Sequence, residues 1–167
     1  MFLHLPINHP LRGLYRFLGA LAGLYVLVFG IVGLTVSSGH AAFGRGPYVA
    51  LGLHTNMAFS VLSILVGLVV LVAAVVGRNL AQYVFLFGGL VFLLAGMAML
   101  AFMQTGLNVL NYTVATCVVS FLIGLVMVTS GLYTRTGPPA QAQAADERRR
   151  TAPEAPAERT RQARATA

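Results

Sequence analysis

The chain has 167 residues, 57% of them hydrophobic and 9% charged, with a mean hydropathy of +0.80. A soluble 17.7 kDa domain of that composition would precipitate, which points to a membrane as the solvent. The net charge of +7 comes from arginine without any lysine, but Arg12, Arg16, Arg45, Arg78 and Arg135 are strewn along the apolar part instead of forming a patch, which argues against a nucleic-acid partner.

In chain order, a leader over 1–13 precedes apolar spans over 14–36, 57–77, 80–103 and 114–133, and a tail follows over 136–167. No Asp or Glu precedes Asp146, and between Arg16 and Arg135 the only charges are Arg45 and Arg78. Each span is long enough to cross a hydrocarbon core of about 30 Å as a helix. None is broken by Pro, and a backbone in lipid must satisfy its own hydrogen bonds. A β-barrel would instead show shorter, alternating segments. The small residues Ser37, Ser38, Gly39 and Ala41 after the first span raise a cleaved signal peptide, but the span exceeds the usual apolar region of about 7–15 residues.

Arg12, Arg16, Arg78 and Arg135 fall on one side of the spans, with Arg78 in a two-residue turn between the second and third. Arg45 stands alone on the other side. The positive-inside rule then places both termini in the cytoplasm of a multi-pass protein. Tyr15, Tyr83 and Tyr133 are expected at the inner interface, and Tyr48 and Tyr112 near the outer one.

The second and fourth spans align without a gap at an offset of 57, Ser60 to Arg78 against Cys117 to Arg135; the first and third align at an offset of 66, Arg12 to Leu34 against Arg78 to Leu100. Matched glycines and arginines carry more weight than matched Leu or Val, because apolar spans resemble one another by composition alone. The expected fold class is therefore all-α: an integral membrane four-helix bundle, a tandem repeat of a two-helix hairpin related by a pseudo-two-fold axis along the membrane normal, with a disordered C-terminal tail. The helix-packing candidates are Gly19, Gly23 and Gly30 in the first span, Ser60, Ser63 and Gly67 in the second, Gly89 and Gly96 in the third, and Ser120, Gly124 and Gly131 in the fourth. Such stripes let backbones approach; the alternative is that Ser60, Ser63 and Ser120 line a narrow pathway.

The spans hold no carboxylate or lysine, the usual mark of a proton relay or coupled carrier. The polar candidates are His54, Asn56 and Asn111, with Gln104 and Asn108 beside them; capping helices or bonding loop backbone is favoured over binding a solute. His4, His9, His40 and His54 show no haem- or metal-ligand spacing, so no cofactor and no metal are expected. Cys117 is the only cysteine, which excludes an intramolecular disulfide and a dithiol quinone chemistry. No nucleophile elbow, phosphate loop or carboxylate pair is present, and no enzymatic activity or catalytic residue is expected. The tail from Gly137 mixes Pro, Ala, Gln, Arg and Glu and cannot build a core.

Three stretches resemble the four-span actinobacterial family catalogued as domain-of-unknown-function family 4383: the Asn8-His9-Pro10 leader into the first span, Leu51-Gly52-Leu53-His54-Thr55-Asn56 at the start of the second, and the turn Gly77-Arg78-Asn79-Leu80. The resemblance covers roughly residues 8–133 and implies a plasma-membrane location; it transfers no active site. The expected role is that of a non-enzymatic protein acting through helix–helix contacts, with the lipid bilayer and either a second copy or a larger membrane complex as partners. The rival is a small channel or facilitator for a neutral or apolar solute.

Overall fold

The computed structural model describes residues 8–138, 140–144 and 147. Its elements are α1 (Arg12–Ser37), β1 (Val49–Ala50), β2 (Leu53–His54), α2 (Met57–Val76), α3 (Arg78–Phe102) and α4 (Val114–Tyr133). All four helices are long and apolar enough to cross a membrane. Their outer faces carry large apolar side chains such as Phe17, Leu24, Leu65, Val72, Phe87 and Leu122, all well exposed. In water such continuous surfaces would drive aggregation; against lipid they match the solvent.

Local chemistry sets the helix ends. Asn56 caps α2, its side chain accepting from the Phe59 amide, and Thr113 does the same for α4 from Thr116. α2 stops before Gly77, which adopts φ +68 and donates its amide to Ala73 O, and α3 begins at once. The expected span over 57–77 therefore ends one residue early, and the third starts at Arg78 rather than 80, leaving a one-residue turn in place of two. Likewise α1 starts at Arg12, inside the stretch assigned to the leader, because the Tyr15 amide already reaches Leu11 O.

The α1/α2 and α3/α4 pairs make the tightest contacts; α1 also meets α4, and of these four neighbouring pairs α2 and α3 touch least although a single residue joins them. Apolar clusters mark two levels of the core, one around Phe85 and Met127 and one around Phe29, Phe59 and Cys117.

Both ends are closed by loops. At one end Val49 pairs with His54 and Ala50 with Leu53 in a two-residue hairpin, Leu51 and Gly52 both having positive φ. At the other, the leader is clipped to the exit of α4: Asn8 N donates to Arg135 O (3.1 Å), and the Asn8 side chain exchanges hydrogen bonds with Gly137 O (2.8 Å) and N (3.2 Å). The Tyr15 and Tyr133 rings stack 4.6 Å apart with His9 edge-on to both. In the expected tail, 140–144 are helical, with Gln141 N and Ala142 N both donating to Pro138 O; residues 139, 145, 146 and 148–167 of it, and 1–7 of the leader, lie outside the described residues.

Candidate functional site

The small residues close the two hairpins. A Cβ on Gly30 would stand 2.7 Å from Ile64 N, and one on Gly67 2.6 Å from Leu27 N, so α1 and α2 meet backbone to backbone. In the second pair a Cβ on Gly89 would stand 2.7 Å from Val128 N, on Gly124 2.9 Å from Gly89 O, and on Gly131 2.7 Å from Leu86 N. Gly23 faces Val70 and Leu71 N, and Gly96 faces Cys117 O and Phe121. Gly19 differs, making room for the Phe85 ring of α3 across the two hairpins. The glycine stripes are thus spent inside the chain and are not offered to a neighbour. Gly33, outside the small-residue pattern, faces Ser60 Oγ and Thr55 Oγ1 in the same way.

The serines turn their hydroxyls inward as well. Ser60 Oγ donates to Asn56 O (2.8 Å) and lies 2.9 Å from Thr55 Oγ1, and Ser63 Oγ donates to Phe59 O (2.8 Å). Ser63 and Ser120 border a central cavity of about 30 Å³ with Thr116, room for a water or two. Ser60 does not line it.

The polar residues at the hairpin end are staples between the α1–α2 and α3–α4 loops. Asn56, fully buried, caps α2 with its oxygen and donates its amide to Val109 O (2.8 Å) and Gly44 O (3.4 Å). Asn111, at φ +57, donates to Thr55 O (2.9 Å) and Gly46 O (3.0 Å). Asn108 and Arg45 complete the net: Asn108 holds Met103 O and Tyr112 O, and the Arg45 guanidinium reaches Asn108 O and Thr105 O. The backbone partners that Asn56, Asn111 and Arg45 reach across the loops lie far away in sequence, so residue type alone marks these side chains only as hydrogen-bonding groups. His54, half-buried, lies in β2, three residues before α2 begins. Among the described residues no three His, Cys, Asp or Glu side chains converge.

Tyr112, next to the N-cap of α4, turns into the protein rather than outward: it is 6% exposed, its ring 4.9 Å from Phe59. Burial pushes its hydroxyl above the ordinary tyrosine value; a hydrogen bond with Ser120 opposes this and the Cys117 thiol adds to it.

Beside this ring pair opens a feature that residue identity did not announce. Between α2 and α3 lies a groove of about 450 Å³, almost wholly apolar, lined among others by Leu62, Val66, Val69, Phe87, Val91 and Ala95. On α2 it extends from Phe59 to Val70, roughly 16 Å along the helix. Side-chain size accounts for it. Sixty-six residues earlier, Val91 corresponds to Tyr25 and Ala95 to Phe29, and these aromatic residues fill the α1/α4 side, where Phe29 is 4% exposed. Valine and alanine at the matching places in α3 leave the space open.

Comparison with protein-family models, with curated proteins and with solved structures finds no match to this chain.

Proposed function

We propose that this chain is a multi-pass plasma-membrane protein with both termini in the cytoplasm, a four-helix bundle derived from a duplicated hairpin, which acts without catalysis by associating with a second copy through the α2/α3 groove. The open groove is the observation that carries this reading. Leu65, Val69, Phe87 and Val91, each more than half exposed, form ridges around it. A two-fold contact would set a ridge of each copy into the groove of the other. In lipid, association rests on close packing, and Gly88 and Ala95, one seven-residue step apart on the groove floor, permit it.

The duplication is supported by matching contacts: Gly23 against Leu71 N and Gly89 against Val128 N differ by the same offsets of 66 and 57 that align the spans. Membership of family 4383 rests on its three motifs alone. The cytoplasmic placement rests on Arg12, Arg16, Arg78 and Arg135, which share one end of the helices.

The test is oxidative cross-linking in native membranes. Cys117 is fully buried and does not compete. Phe87→Cys is expected to give a covalent dimer, and Leu24→Cys, exposed on α1, to give none. A Phe87→Cys protein that stays monomeric, or cross-links instead to a different stoichiometric protein, contradicts self-association; the second result would make the chain an accessory subunit.

A further inference from the structure

The end of the molecule opposite the β-hairpin gathers arginines around a second, larger hollow. Arg12 and Arg16 are one turn apart on the first turns of α1 and share a face. Gly77 breaks α2 from α3 at positive φ, and Arg16 lies over it: a Cβ there would stand 2.5 Å from Arg16 Nη1. Arg78 follows as the first residue of α3, whose leading amides add partial positive charge. The third wall comes from the exit of α4, held in place by Asn8 on Gly137 and by Thr136 Oγ1 donating to Asn79 Oδ1 (3.1 Å). The three walls enclose about 820 Å³, lined by Arg12, Arg16, Arg78, Asn79, Thr134 and Thr136 together with smaller or apolar neighbours.

Among the described residues, every charged side chain lining this hollow is an arginine. Guanidinium groups gathered around one hollow without a carboxylate among the described lining residues repel one another, and an anion resolves the repulsion; planar guanidinium forks and helix amides suit the oxygens of a phosphate group. A second observation narrows the source. A neighbouring cleft of about 410 Å³ shares Gly13 and Arg16 with the hollow and continues along α1 and α2 between Phe17, Ala20, Leu71, Ala74 and Val75. Its far wall is apolar where its near wall is Arg16, the order of a headgroup and its acyl chain.

From this geometry we infer that Arg12, Arg16 and Arg78 bind a phosphate group, and that its source is the phosphodiester of an anionic lipid whose acyl chain lies in the α1/α2 cleft. The site is independent of the α2/α3 groove. If the arginine end is cytoplasmic, it faces the leaflet in which anionic lipid is available to it.

The experiment uses the full chain in phosphatidylcholine nanodiscs with and without phosphatidylglycerol, read by native mass analysis of the lipid that stays bound, with inorganic phosphate as a separate arm read by thermal stability. Wild type is expected to retain phosphatidylglycerol selectively. Arg16→Gln and Arg78→Gln should each weaken retention about tenfold, as loss of a charge-assisted hydrogen bond implies, while Arg45→Gln at the opposite end leaves it unchanged. Ala20→Leu narrows the cleft while leaving the arginines in place and should also weaken retention, which separates binding from a folding defect in the arginine variants. Stabilisation by inorganic phosphate that depends on Arg16 and Arg78, with no lipid retained, would assign the hollow to a soluble phosphate and overturn the lipid source. Equal retention in wild type and the Gln variants would overturn the site.

Discussion

Two seams join the hairpins of this molecule, α1 against α4 and α2 against α3. Their positions match at the sequence offsets of 66 and 57, yet they end in opposite states. On the first, Tyr25 and Phe29 fill the space toward Val119 and Ile123; on the second, Val91 and Ala95 leave about 450 Å³ between the helices. At these two matching positions the difference is one of side-chain volume. A membrane-spanning chain tolerates such a groove because lipid or another helix supplies the missing contacts, whereas a soluble core would collapse onto it.

The comparison can be broken most severely at what both seams depend on, the closed hairpins. Gly67→Leu drives a side chain into the Leu27 backbone, from which even a Cβ stands 2.6 Å away. It should cost more than about 3 kcal/mol and remove folded protein from the membrane, measured by protease resistance. Emptying the filled seam comes next. Phe29→Ala is expected to cost about 3 kcal/mol in thermal or denaturant unfolding, and Ala95→Gly, the small change at the matching place, much less. Third is the staple that holds α2 to the α3–α4 loop at the closed end of the groove. Asn56→Ala loses the α2 cap and the bond to Val109 O, for about 2 kcal/mol, with Asn56→Asp retaining the cap and part of the stability.

The smallest effect is on pH dependence. Because burial raises the Tyr112 ionisation, the folded state holds that proton more tightly than the unfolded chain. Its contribution is fully present below the ordinary tyrosine value of about 10 and is lost as pH rises through the higher folded value. Tyr112→Phe should flatten that alkaline fall in stability; an unchanged curve would mean the hydroxyl is not buried against Phe59 and Ser120.

Much of the architecture was readable from residues because lipid imposes blunt rules. Roughly twenty apolar residues without charge define a span, and glycines at helical spacing mark where backbones touch, as Gly30 on Ile64 and Gly89 on Val128 do. Leu51-Gly52-Leu53-His54-Thr55-Asn56 also resolves into parts: Gly52 turns a hairpin, Leu53 enters the core and Asn56 caps α2. The hairpin itself was not foreseen, since two residues per strand give no periodic pattern. That Asn56 and Asn111 cap a helix and bond loop backbone is what their type and place suggest; which loop they hold is not, because their partners are backbone carbonyls such as those of Val109 and Gly46, groups every residue possesses. The groove and the arginine hollow depend on which helices adjoin. Tyr25 against Val91 and Phe29 against Ala95 are unremarkable until α1 is known to face α4 and α3 to face α2.

The most direct test of the central claim is to make the open seam like the filled one, with Val91→Tyr and Ala95→Phe together, and to measure the mass of the protein released gently from its own membrane. The account predicts a folded monomer where wild type is a dimer. A double variant that keeps the wild-type assembly would show that the groove between α2 and α3 is not where this protein meets its partner.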